Sequence, residues 1–236
     1  MTRYALQGIG LTRRYGGFTA LDDVTIKLES GEIRGLIGPN GAGKSTLMDA
    51  LCGRGGRTSG TVQCQGQDIT RMSARARRRA GLARSFQKTS IFPDLSVRAQ
   101  VELAADVAEK DNTDEVLDAL DLAALSAHRA ADISYGDQRR LDLALALVGR
   151  PSVLLLDEPA AGLSIGESIV LANLLKGLAS SWGVTVLIVE HDMDVIFSIS
   201  DRITVMHLGK VLADGPGSEI RANADVIRAY LGTNIE

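Results

Sequence analysis

The spacing of apolar and polar residues changes character along the chain, and each change marks a different kind of element. In residues 4–11 and 19–28, β-branched and apolar residues alternate with polar ones, and Gly16 and Gly17 lie between the two stretches. A period of two marks strands buried on one face, and the intervening glycines predict an antiparallel pair. Residues 61–65, closed by Gly66, predict another strand. Residues 32–38 form an apolar run that ends in a glycine-rich turn, and 44–51 read as a helix, which gives strand, loop, helix. From Asp137 onward the pattern alternates: helix 139–147, strand 153–156, helix 166–178, strand 184–189, helix 193–199, strand 202–206. A short strand at 211–214 is broken by Gly215, Pro216 and Gly217 before a terminal helix. The runs at 153–156 and 184–189 carry almost no polar residue, as in strands covered on both faces. The alternation therefore predicts an α/β fold with a mostly parallel sheet flanked by helices, preceded by an antiparallel β subdomain.

The middle of the chain follows another rule. Residues 71–84 hold six arginines and no acid, whereas 102–121 hold eight acids and one lysine. Val97, Val101, Ala104, Val116, Leu117 and Leu120 recur at helical spacing, which predicts an inserted helical subdomain. The arginines are expected on a solvated helix face that balances the acidic helix. The chain reads as one domain, with its core in residues 1–87 and 150–236 and the helical subdomain at about 88–149. No repeat interrupts it.

Composition narrows the partners. The 236 residues are 45% hydrophobic and only 4% aromatic, so the core is aliphatic. A net charge of -3 supplies no general attraction to nucleic acid, which is not expected as a partner. No apolar run approaches the roughly 18 residues of a membrane helix, and no signal segment opens the chain, so a cytosolic protein is expected. Cys52 and Cys64 match no redox or zinc spacing and are expected as reduced thiols.

Gly38, Pro39, Asn40, Gly41, Ala42, Gly43, Lys44 and Ser45 satisfy G-x-x-x-x-G-K-[ST] where a strand hands over to a helix. The glycines let backbone N–H groups converge on a triphosphate, and the helix beginning near Lys44 presents its positive end. Lys44 suits the β- and γ-phosphates, the Ser45 hydroxyl suits Mg²⁺, and Thr46 suits the α-phosphate. A chance match in a chain of this length is expected on the order of once in a hundred sequences. Asp157 and Glu158 follow the apolar run at 153–156, at the strand end where open α/β sheets hold ligands. Asp157 suits Mg²⁺ through its water shell, and Glu158 suits polarising a water for attack on the γ-phosphate. His191 lies just past the run at 184–189 and is placed to reach the γ-phosphate and Glu158.

Taken in order, these motifs resemble the nucleotide-binding subunit of ATP-binding cassette (ABC) transporters over essentially the whole chain. Residues 38–46 resemble Walker A, Gln87 the Q-loop glutamine, 153–158 Walker B, and His191 the switch histidine. Tyr15 stands where the family stacks an aromatic ring on adenine. Ser134, Tyr135, Gly136 and Asp137 fall at the Ser-Gly-Gly-Gln signature, with Tyr135 replacing a glycine and Asp137 the glutamine. The resemblance implies an ABC-type P-loop NTPase fold, ATP and Mg²⁺, and an ATPase with Glu158, His191, Lys44 and Gln87 in catalysis. It places Ser45, Gln87 and Asp157 about the metal. Ser134 and Gly136 are implied to contact ATP held by the opposite subunit of a head-to-tail dimer, where an Asp137 carboxylate is unfavourable unless it points away. Ser164 stands where the D-loop ends in aspartate.

Residues 81–87, 158–163, 190–193, 200–203 and 226–232 narrow the resemblance to importers of branched-chain (hydrophobic) amino acids, in which the Tyr135 variant is typical. It implies two integral-membrane permease subunits, a second ATPase subunit that is identical or paralogous, and an extracytoplasmic substrate-binding protein. The expected place is peripheral, on the cytoplasmic face of the inner membrane. Ile91 and Phe92, after Gln87, fall where the family receives a cytoplasmic helix of the membrane subunit. The alternatives are another cargo (urea, short amides or a lipid), a soluble ATP-gated clamp, and a regulatory module without useful turnover.

Overall fold

The computed structural model describes residues 3–85 and 89–231. β1 (Tyr4–Tyr15) and β2 (Phe18–Glu29) pair antiparallel about Gly16 and Gly17, longer than the alternation predicted. β3 (Ile33–Ile37) and α1 (Lys44–Cys52) follow, then β4 (Thr58–Cys64) and the short β5 (Gln67–Asp68). Strands β2, β1, β4 and β5, in that order, make an antiparallel sheet. The chain continues through α2 (Ala74–Arg79), β6 (Leu82–Ser85), α3 (Val97–Ala108), α4 (Thr113–Ala119) and α5 (Tyr135–Leu147). It then alternates through β7 (Val153–Asp157), α6 (Ile165–Trp182), β8 (Thr185–Val189), α7 (Met193–Ile199), β9 (Arg202–His207) and β10 (Lys210–Gly215), and ends in α8 (Gly217–Ala222) and α9 (Ala224–Leu231). The second sheet has the order β10-β9-β3-β8-β7-β6, parallel throughout except for β10.

The apolar runs have the predicted cause. In β7, Val153 and Leu155 join the core beneath the antiparallel sheet with Leu36, Leu187 and Leu6. Leu154 and Leu156 face the other way, into the core shared with α5 and α6. A strand with helices or a second sheet on both faces has no solvent side to mark with polar residues.

The arginine-rich stretch departs from its expected role. It contains a strand, β6, that forms the edge of the parallel sheet beside β7. Arg77 is 4% exposed, because its Nη1 donates to the carbonyls of Ala50 at 2.9 Å and Leu51 at 2.5 Å, near the end of α1. Arg78 does the same for α5, reaching the carbonyls of Ala146 at 3.1 Å and Val148 at 2.5 Å. The last carbonyls of a helix lack partners within it, and these side chains supply them. The acidic helices are balanced instead by Arg98 with Glu102 and Asp114, Arg150 with Glu115, and Arg140 with Asp121. Both cysteines are free and buried.

Candidate functional site

Register decides which motifs meet. β8 lies between β3 and β7, with Leu36 beside Val189 and Val189 beside Asp157. The carboxyl ends of the three strands are therefore level, and Gly38, Glu158 and His191 leave one edge of the sheet.

Glycine is required in the loop at 38–43 for reasons of space. A Cβ on Gly38 would stand 2.2 Å from the Met206 carbonyl oxygen, and one on Gly43 would stand 2.6 Å from the Ala20 carbonyl oxygen. Beside Gly41 the space is open. Lys44 folds back over this loop, donating to the Gly38 carbonyl at 2.6 Å and the Pro39 carbonyl at 3.1 Å. Burial lowers its pKa, and the carboxylates of Glu158 and Asp157 pull it partly back up. Asn40 and Ser45 are exposed, while Ala42 donates its N–H to Pro39 and accepts from the N–H of Gly209, between β9 and β10. An anion entering this cradle meets backbone donors, the start of α1 and an ammonium already committed only to neutral carbonyls.

Arg84, on β6, donates to Asp157 Oδ2 at 2.9 Å and to Asp49 Oδ1 at 2.5 Å. The sequence reading placed Arg84 on a solvated face, whereas its side chain is 8% exposed. Among the described residues, no group of three or more histidines, cysteines or carboxylates is arranged to hold a metal ion. Ser45 and Asp157 instead offer the sparse oxygen set that suits Mg²⁺, which keeps waters and shares phosphate oxygens. Gln87 lies outside the described residues.

His191 Nε2 stands 2.8 Å from Glu158 Oε1, so the two side chains paired in the sequence reading are in contact. Glu190, beside it, is 5% exposed and accepts the Ala160 N–H at 2.6 Å. Burial raises the Glu190 pKa against that bond and one from the His191 backbone. Tyr15 closes the β1–β2 hairpin, half exposed, with its hydroxyl 3.5 Å from Arg13 Nη1. The same hairpin meets the phosphate loop through Ala20.

Ser134 and Gly136 belong to a second surface, a cleft of about 450 Å³ formed by the starts of α5 and α6. Ser134 caps α5 by accepting the Asp137 N–H, and its hydroxyl donates to Asp137 Oδ2 at 2.7 Å. Asp137 also pairs with Arg140 one turn on, so its charge is turned onto its own helix and compensated there. Ser164 caps α6 in a reciprocal box with Glu167, and a Cβ on Gly136 would meet that glutamate at 2.6 Å. The side chains that sequence reasoning missed are Arg84, Arg139 and Glu190. For Arg139 a signal existed, since 136, 139, 143 and 146 share one helical face whose other members are small or apolar.

The motifs and the layout agree with known proteins. The family model described as ABC transporter matches residues 21–161, and one described as Branched-chain amino acid ATP-binding cassette transporter matches residues 210–235. The chain is 36% identical to the high-affinity branched-chain amino acid transport ATP-binding protein BraF of Pseudomonas aeruginosa, across 98% of this chain and 99% of that protein. It is 38% identical to LivG of Escherichia coli K12, a protein of the same description, over the same shares of the two chains. Among solved structures, the ADP conformation of MJ1267, an ATP-binding cassette of an ABC transporter, superposes with a TM-score of 0.87 at 27% identity, covering 98% of this chain and all (100%) of that one. The dimeric structure of MJ0796, a bacterial ABC transporter cassette, does so with a TM-score of 0.78 at 25% identity over 89% and 98%. Sequence, motif order and sheet topology therefore lead to one conclusion: the chain belongs to the ABC transporter family, as an ATP-binding cassette.

Proposed function

We propose that this chain is the ATP-hydrolysing subunit of an importer of branched-chain or other hydrophobic amino acids, working as one of two cassettes that close around ATP. The observation that carries the cargo assignment is the C-terminal match at residues 210–235, which adds to near full-length likeness to BraF and LivG. That segment is β10, α8 and α9, joined through the Gly209 turn to the phosphate loop.

The site supports a division of labour. The backbone of the loop at 38–43 and Lys44 hold the phosphates, Thr46 extends that hold, and Tyr15 is the adenine platform. Mg²⁺, when bound at Ser45, Asp157 and Gln87, supplies charge neutralisation on the phosphates. Glu158 orients and deprotonates the attacking water, and His191 holds the Glu158 carboxylate and reaches toward the γ-phosphate. Phosphoryl transfer asks mainly for position and charge, which these groups provide. Ser134 and Gly136 serve the nucleotide of the opposite cassette. ATP then favours the closed pair and its products the open one, and that difference moves the membrane partners.

A cleft of about 540 Å³ lies beside α3, with Phe92, Leu103, Val107 and Leu145 along it and Arg75 and Arg150 among its basic residues. Phe92, at 57% exposed, and Val107, at 68%, are apolar anchors suited to a cytoplasmic helix of each permease subunit. No helix among the described residues is long and apolar enough to cross a membrane. The reading accordingly places the chain peripherally, on the cytoplasmic face of the inner membrane, with an extracytoplasmic binding protein supplying the cargo. Affinity purification from gently solubilised native membranes tests it. Two multi-span subunits with a second cassette, and ATP-dependent leucine uptake after reconstitution, are the expected result. Recovery of soluble partners alone overturns it.

A further inference from the structure

Glu158 has a left-handed backbone, with φ at +50°. That conformation is disfavoured for a residue with a Cβ and persists where its neighbours impose it. The Glu158 N–H donates to the Val189 carbonyl at 2.8 Å. Its carbonyl accepts from Arg139 Nη2 at 2.6 Å, and Nε of the same guanidinium donates to the next carbonyl, that of Pro159, at 3.1 Å. Arg139 is 4% exposed, within α5, and its Nη1 lies 3.5 Å from Thr89 Oγ1. Tyr135 adds a bond from its hydroxyl to the Ala161 carbonyl at 3.2 Å, with its ring against Gly162.

We propose that Arg139 is a positioning residue for ATP hydrolysis, acting through the two backbone carbonyls that follow the Glu158 and Pro159 α-carbons. A burial this complete is unfavourable for a guanidinium unless its donors are used, and a planar fork spanning two successive carbonyls fixes the peptide between them. Loss of these bonds would free the backbone that holds the Glu158 carboxylate against His191. Arg139 thereby governs turnover, while the phosphate loop, to which it donates no bond among those described, governs nucleotide affinity. Because Ser134 caps α5, the same arginine also ties the helix proposed to face the opposite cassette to the loop at 158–162. The inference rests on Glu158 being the base of the proposed function.

The test compares Arg139→Met, Arg139→Lys and Glu158→Gln in the full chain. It measures kcat for phosphate release, the Kd for a fluorescent N-methylanthraniloyl ATP, and the melting temperature. Arg139→Met is expected to lower kcat about 10- to 100-fold, since a misplacement near 1 Å has that effect. Its Kd should stay within about 2-fold of wild type, the split that marks an interaction made for the transition state. Arg139→Lys, which reaches one carbonyl but not both, should recover part of the rate. Wild-type kcat in Arg139→Met, or equal losses of kcat and affinity, overturns the role. Should Arg139→Met fail to fold, Arg139→Lys decides: a reduced kcat at unchanged Kd supports the role, and a wild-type kcat overturns it. Turnover by Glu158→Gln near the wild-type rate would remove the base assignment itself and the inference with it.

Discussion

Two loops leave the same edge of the parallel sheet and keep their shape by different means. The loop at 38–43 is largely self-supporting: Ala42 bonds to Pro39, Lys44 lies on the carbonyls of Gly38 and Pro39, and its close approaches to β2 and β9 fall at glycines. The loop at 158–162 is held by side chains from distant parts of the chain, namely Arg139, Tyr135 and Glu190. A binding cradle must present many weak donors at fixed spacing, and a short stretch of backbone does that alone. A carboxylate with the role proposed for Glu158 must sit at one place, and here its loop is fixed by a support spread over several elements.

The largest expected effect separates the two loops by function. Glu158→Gln should lower kcat by at least about 100-fold while ATP binding persists, as loss of a general base does; steady-state phosphate release at the wild-type rate would break the comparison. Gly38→Ala should act on the other loop through space, because the new Cβ would lie 2.2 Å from a backbone oxygen that has no side-chain freedom. Overpacking of this kind costs about 2 kcal/mol, or roughly 4–8 °C in a domain of this size, and ATP affinity should fall with it. Thermal unfolding and nucleotide titration at normal values would show that the loop yields more than a self-supporting cradle can.

Ser164→Ala sharpens the other side, since Ser164 caps α6 just beyond the loop at 158–162. Loss of such a cap costs about 1 kcal/mol, read as a small drop in denaturant midpoint; an unchanged midpoint would mean that the loop does not lean on that helix. Glu190→Gln should have the smallest effect, and one that depends on pH. Burial raises the Glu190 pKa above its ordinary 4.5. The folded state therefore holds the proton more tightly than the unfolded state, so the stability from this group is present below the unfolded value and lost as pH rises through the raised one. Glutamine keeps an acceptor for the Ala160 N–H and does not ionise. Its melting temperature relative to wild type should rise as pH goes from about 4 toward neutrality; a flat difference would remove burial as the cause.

The same contrast explains what the chain disclosed before folding. The place of the loop at 38–46 was legible because its motif is contiguous, and the places of Asp157, Glu158 and His191 because each follows an apolar strand whose position is itself a signal. The antiparallel pair and the alternating half were legible for the same reason, since periodicity is local. β6 was hidden because arginines dominate its neighbourhood, and Arg84 became intelligible only beside Asp49 and Asp157, 35 and 73 residues away. Arg77 and Arg78 were misread because charge counting assumes solvent, whereas a guanidinium is also the right shape to finish another helix. Asp137 and Ser164 looked like losses against the family pattern, yet Asp137 holds the hydroxyl of the Ser134 cap and Ser164 caps α6, roles that composition does not reveal.

The left-handed backbone at Glu158 sets folding against the chemistry proposed for that residue. Glycine at that position would relieve strain of about 1 kcal/mol, so the folded protein would gain from giving up its carboxylate. On the role proposed for Glu158, exchange to glycine should therefore raise the melting temperature while it removes turnover, so this one position sets the use of ATP as a fuel against the stability of the fold.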